Sequence, residues 1–235
     1  MSESAALEGF LDKWRQRWPE WSVVEVFVPA SERRIALAWF ALLQEFEDAL
    51  NIAGDPLPAD AKLGWWGQEL HDWSQHRARH PLGRVLQPCE APWGALANAL
   101  PLLVRARSRP LDQDTAFLTL APLTSAACAV EAALFKGQQD DVLVRAIAAQ
   151  LLASRLRQGG IDAVPMQLNG NTNVSVHAWR SELLRHWPTP RSAGTPRRLW
   201  SALGRSRLLR SPTGEAVVPP SPAKALWIGW RAARR

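Results

Sequence analysis

Apolar residues recur at helical spacing from Arg33 to Asn51, with Ile35, Trp39, Leu42, Leu43, Phe46 and Leu50 in one stripe. This pattern predicts an amphipathic helix, with Ser31 and Glu32 suited to its N-cap and first turn. At about 100° per residue, Phe40, Glu47 and Asn51 fall on the edge of that stripe, and positions 47 and 51 stack one turn apart. A polar pair there borders either a cavity or an ordinary, partly exposed helix end. A second stripe, Leu63, Trp66, Leu70 and Trp73, lies between Pro56 and Pro58 at its entry and Pro81 at its exit. The short connection predicts that helices over Arg33 to Asn51 and Asp60 to Arg79 pack antiparallel in the core.

The helical pattern continues. Trp93 to Arg105 is apolar with Pro101 inside it, which predicts a kink or break. Ala116 to Phe135 reads as an Ala-rich helix interrupted near Pro122 and closed by Gly137. Asp140 is a good N-cap for a helix from Asp141 to Gln158 carrying Leu143, Ile147, Gln150 and Leu151, and Gly159-Gly160 ends it. Met166 to Val174 is polar and Asn-rich, a loop. Ser175 to Trp187 is amphipathic, with Val176, Trp179, Leu183 and Trp187 on one side. Val23 to Val28 could form a short strand but reads better as helical continuation. The expected class is all-α.

Charge divides the chain unevenly. From Pro188 to Arg235, ten Lys or Arg stand against Glu215 alone, a net +9 within a total of +6, leaving −3 for residues 1–187. The expected organisation is therefore a helical domain over 1–187 and a basic, Pro-, Arg- and Trp-containing extension over 188–235. Thr195-Pro196 and Ser221-Pro222 read as N-cap and N1 pairs opening short helices, with Val217 to Pro222 as a linker. Basic residues with Trp suit anionic lipid, nucleic acid or an acidic protein surface. Nucleic acid ranks last, because no base-reading motif, zinc-finger spacing or Gly-rich phosphate loop appears. A solvated terminus is the bland alternative.

Cys89 and Cys128 have no ligand-like spacing with histidine and read as reduced thiols. The first ten residues carry acids and no basic start before an apolar run, so neither a secretory signal nor a transit peptide is expected. No window is expected to reach the ~20 apolar residues of a membrane span. A cytoplasmic protein follows, with peripheral membrane attachment left open. Thirteen Trp against no Tyr is unusual, and indole suits a lipid-like pocket or a membrane interface.

Three segments together resemble the front half of the squalene/phytoene synthase family: Glu47-Asp48-Ala49-Leu50-Asn51, Trp65-Trp66-Gly67-Gln68-Glu69-Leu70, and His80-Pro81-Leu82. The resemblance implies an isoprenoid-synthase-like helical bundle around a central cavity. It also implies that Glu47, Asp48 and Asn51 stand where that family's aspartate-rich motif holds magnesium and, through it, a substrate diphosphate. Phe40, Gln44, Trp66 and Gln150 would line the cavity, with Gln44 in place of an arginine that meets phosphate. The motif is eroded: glutamate's extra methylene moves the carboxylate, and asparagine brings no charge to a site that must hold Mg²⁺ in near-ideal octahedral geometry. Where a second acidic cluster is expected, the text is Gln150-Leu151-Leu152-Ala153-Ser154-Arg155-Leu156-Arg157. Arg155 and Arg157 would repel a cation, though they could bind phosphate directly or be a basic last helical turn. His80 reads as a helix-terminal histidine more readily than as a catalytic one.

Three functional readings follow. The first is a catalytically degenerate relative that binds an isoprenoid or lipid or serves in assembly, with no cofactor expected. The second is an active prenyltransferase condensing prenyl diphosphates, for which Mg²⁺ would be required. The third is a helical scaffold docking through residues 188–235 on an anionic membrane surface or a protein partner.

Overall fold

The computed structural model describes residues 3–168, 170–210 and 218–234, and every regular element among them is helical. The helices are α1 (Glu3–Arg17), α2 (Trp21–Val24), α3 (Ala30–Leu50), α4 (Leu57–Ser74), α5 (Gly83–Leu86), α6 (Trp93–Leu103), α7 (Gln113–Phe135), α8 (Asp141–Gly159), α9 (Thr172–Arg185), α10 (Thr195–Arg210) and α11 (Pro222–Ala233). Short 3₁₀ turns follow α2, α6 and α8 at Glu25–Phe27, Val104–Arg107 and Gly160–Ala163. Residues 23–27 are thus helical, and Val28 after them is extended.

Helix α3 is the centre of the fold. An unbroken run from Ala36 to Glu47 is buried, so α3 is enclosed on every side rather than amphipathic. It begins two residues earlier than the Ser31–Glu32 signal implies, with Pro29 at the N-cap and no side-chain cap. Helices α1, α4 and α5 pack against it, and α8 meets it along one edge. Helix α4 touches α3 but packs most extensively on α6, so the expected α3–α4 hairpin is one part of a larger layer.

Two proline expectations separate. Pro101 lies inside α6, which passes into a 3₁₀ turn after Leu103. Pro122 does not interrupt α7, which runs unbroken to Phe135. The residue that ends α7 in the left-handed region is Lys136 (φ 52°), not Gly137. Asp140 caps α8 as expected, accepting the Leu143 amide at 2.7 Å.

The expected absence of any span-length segment needs correction. By length and composition α7 could cross a membrane, although 44% of its most apolar window is buried within the fold. It also carries the buried carboxylate of Glu131, satisfied by partners from α3 and α10. A core helix explains both properties.

The boundary expected at 187/188 is not a boundary in packing. Leu199, Trp200 and Leu203 on α10 are buried with Phe40 and Trp14 in one continuous core. Helix α11 lies outside α10 and also contacts α2. Val217 lies outside the described residues; Val218 to Ser221 leads into α11, with Ser221 at the N-cap and Pro222 in the first turn. Ten of the thirteen Trp lie in this interior, and Trp65, Trp227 and Trp230 are exposed.

Candidate functional site

The residues of the expected metal motif do not converge. Consecutive positions on a helix point about 100° apart, and Glu47 and Asp48 are claimed by different neighbours. Glu47, buried, accepts a hydrogen bond at 2.5 Å from Ser154 Oγ on α8. Asp48 turns toward α1, where its carboxylate meets Arg17 at 2.6 Å and Lys13 at 3.8 Å. Gln44 donates at 3.1 Å to Asp48 Oδ1, the oxygen that Arg17 meets. Asn51 folds back on its own helix end, donating to the Glu47 carbonyl at 3.0 Å and more weakly to Ser154 at 3.5 Å. Among the described residues no group of three or more His, Cys, Asp or Glu side chains is arranged to hold a metal ion. Mg²⁺ with diphosphate does not fit this donor set.

Of the two arginines, Arg155 serves the end of α3. The last carbonyls of a helix lack intrahelical partners and carry the negative end of its dipole. Arg155 donates to the Leu50 carbonyl at 3.2 Å and to the Arg107 carbonyl at 2.8 Å, and Arg107 donates to the Ala49 carbonyl at 3.1 Å. The end of α3 is thus tied to α8 and the Val104–Arg107 turn. Burial lowers the Arg155 guanidinium from its usual range, with nearby Arg107 adding to the effect. Arg157 is likewise lowered by burial, while Glu47 opposes the shift, and its Nε has no hydrogen-bond partner.

The interior is filled. Phe40 is fully buried against Trp14, Trp21 and Trp200, and Trp66 against Phe46, Trp73 and His80. Both are packed among aromatic rings, and Gln44 is engaged with Asp48. Of the four residues expected to line a cavity, Gln150 borders open space. It borders two small voids of about 20 and 10 Å³, the larger with room for roughly one water molecule. A prenyl chain is far beyond this volume.

What occupies the centre is a buried ion pair. Glu131 of α7 accepts from Arg197 of α10 through both oxygens, and from the Trp39 indole at 2.8 Å. Arg197 also donates to Gln150 at 3.2 Å and lies 4.6 Å from the Trp200 ring centroid. A second pair joins Arg207 to Glu20 at 2.6 Å, with the guanidinium 3.6 Å from the Trp18 ring centroid. Sequence reasoning missed all four residues. A signal existed for one: Glu131 stands alone in an Ala-rich apolar run, where an unpaired charge is costly and a partner is implied.

The Trp-Trp-x-x-Glu-Leu and His-Pro segments also meet, for a structural purpose. Glu69 is fully buried and accepts the Arg79 and His80 amides at 2.7 Å each and the Trp73 indole at 2.8 Å. Burial pushes this carboxyl up, but those amide, indole and guanidinium donors outweigh it, and it ends below the usual carboxylate range. His80 sits against Phe10, Trp65 and Trp66, and its Nδ1 accepts the Leu82 amide at 3.1 Å. It belongs to a turn rather than to a helix end. Desolvation holds its pKa down at about 4 against the pull of Glu69 and Glu45.

No protein-family profile matches this chain, and no curated protein matches it.

Proposed function

We propose that this chain is a catalytically degenerate, squalene/phytoene synthase-like helical protein that acts by docking or assembly rather than by prenyl transfer. The single observation that carries the reading is the divergence of Glu47 and Asp48, one bound to Ser154 inside the fold and the other to Arg17 on α1. A prenyl diphosphate must have its leaving-group charge neutralised as the carbocation forms. Two carboxylates held toward different neighbours, with no space between α3 and α8 for a diphosphate, are unsuited to that task. The filled interior also argues against an isoprenoid held there, and it favours the outer surface as the working part. The experiment is incubation with farnesyl or geranylgeranyl diphosphate and Mg²⁺. Diphosphate release should stay at background. Release that Asp48→Ala abolishes would instead establish an active prenyltransferase.

A further inference from the structure

Helix α11 is mounted with its large apolar side chains facing out. Its buried face is made of the small residues Ala225, Gly229 and Ala232. Leu226, Trp227 and Trp230 are 46%, 54% and 44% exposed. An ordinary surface helix does the reverse and turns its bulky apolar residues to the core. The mounting is fixed by close contact: a Cβ at position 229 would stand 2.9 Å from Val24 Cγ1 and 3.0 Å from the Phe27 ring. A rotation bringing either Trp inward would require an indole where a single methyl group already collides.

Cations surround this exposed apolar group. Arg231 and Arg234 lie over the Trp227 and Trp230 rings at 4.7 and 4.5 Å. Between α10 and α11 opens a groove of about 280 Å³, its apolar floor including Trp187 and Ile228 and its rim carrying Arg205, Arg210 and Lys224. Among the described residues from Pro188 onward there is no acid to neutralise the rim. Arg197 and Arg207 of the same segment are already spent on Glu131 and Glu20.

We propose that this face seats the protein on a bilayer surface containing anionic lipid. Trp227 and Trp230 lie at the boundary between headgroups and acyl chains, the depth that indole prefers. The arginines and Lys224 lie among the phosphates, and the groove beside Trp227 receives part of one lipid. Charge complementarity makes the occupant anionic. The exposed indoles and Leu226 make it an apolar interface as well, which separates a membrane from a purely acidic polypeptide. The inference rests on α10 and α11 alone and holds whether or not the interior is catalytic.

The test is co-sedimentation of the full chain with phosphatidylcholine vesicles, with and without phosphatidylglycerol. Binding should require the anionic lipid and weaken when salt rises from about 0.05 to about 0.5 M. Trp227→Ala with Trp230→Ala, and separately Lys224→Glu with Arg231→Glu, should each lower partitioning roughly tenfold or more. All four side chains are exposed, so melting temperature should hold steady and report that the fold is intact. Arg105→Glu with Arg145→Glu makes the same change of net charge away from α11 and should leave partitioning nearly unchanged. Equal sedimentation of wild type and both α11 variants would overturn the proposal. So would equal binding to neutral and anionic vesicles, or capture by polyglutamate without any vesicle binding.

Discussion

Glu131 and Arg197, 66 residues apart, lie side by side in the interior, 2% and 1% exposed, with Arg197 Nε donating to the two carboxylate oxygens at 3.0 and 2.9 Å. The contact joins α7 to α10, so a helix that composition assigns to a basic extension completes the core. It also fills the space beside α3 and α8 in which the resemblance would put a substrate.

Breaking that pair from one side should be costly. Glu131→Gln or Arg197→Met alone leaves a buried, uncompensated charge and is expected to destabilise by about 3–5 kcal/mol in urea unfolding. Glu131→Leu combined with Arg197→Met removes both charges and should lose clearly less than the sum of Glu131→Leu and Arg197→Met made singly. Strict additivity would show that the two groups are not coupled.

Glu69 should matter to the fold as much as any apolar core residue. Glu69→Ala strands two backbone amides and an indole N–H, for an expected loss of about 2–4 kcal/mol. Glu69→Gln keeps one acceptor oxygen and should lose less. Urea unfolding decides, and a loss within about 0.5 kcal/mol for Glu69→Ala would mean that water satisfies these donors instead.

His80 predicts a loss of stability on mild acidification. Its pKa is about 4 when folded and ~6.5 when unfolded, so the unfolded chain binds more protons between those values. The contribution is complete above pH ~6.5 and is lost as pH falls toward ~4. Discounted for partial exposure, it amounts to on the order of 1–2 kcal/mol. The lowered carboxyls of Glu69 and Glu45 add a loss of the same sign at still lower pH. His80→Gln should flatten the melting-temperature profile between pH 6.5 and 4 relative to wild type. An unchanged slope would place the acid sensitivity elsewhere.

The helices were legible where period and punctuation agreed: Asp140 caps α8 and Pro56 caps α4, whereas α4 ends at Ser74, well before the exit that Pro81 predicts. Periodicity could not show that α3 is enclosed. Gln44, Glu45 and Glu47 look like a polar face, yet each is buried through a partner on another helix or on the next turn of α3 itself. The direction of the candidate site's acids was illegible for the same reason. Adjacent acids in the text imply a cluster, but their direction is set by Arg17 on one side and Ser154 on the other, and neither pairing has a local signal. The basic segment misled because its ten cations look alike in sequence, whereas Arg197 and Arg207 are interior and Arg205 and Arg231 are exposed.

The most direct test is the melting temperature of the full chain with millimolar Mg²⁺ and inorganic diphosphate, measured for wild type and Asp48→Ala. A ligand at ~100 times its Kd stabilises the folded state by about 2.7 kcal/mol, and at this chain length each kcal/mol is worth roughly 2–4 °C. Asp48 is half-buried and its ion-pair partners Arg17 and Lys13 are exposed, so the variant itself should melt within a few degrees of wild type. With Glu47 and Asp48 committed to Ser154 and Arg17, neither protein should gain from the added ions. A Mg²⁺-dependent rise of several degrees in wild type, absent in Asp48→Ala, would contradict the proposed non-catalytic reading.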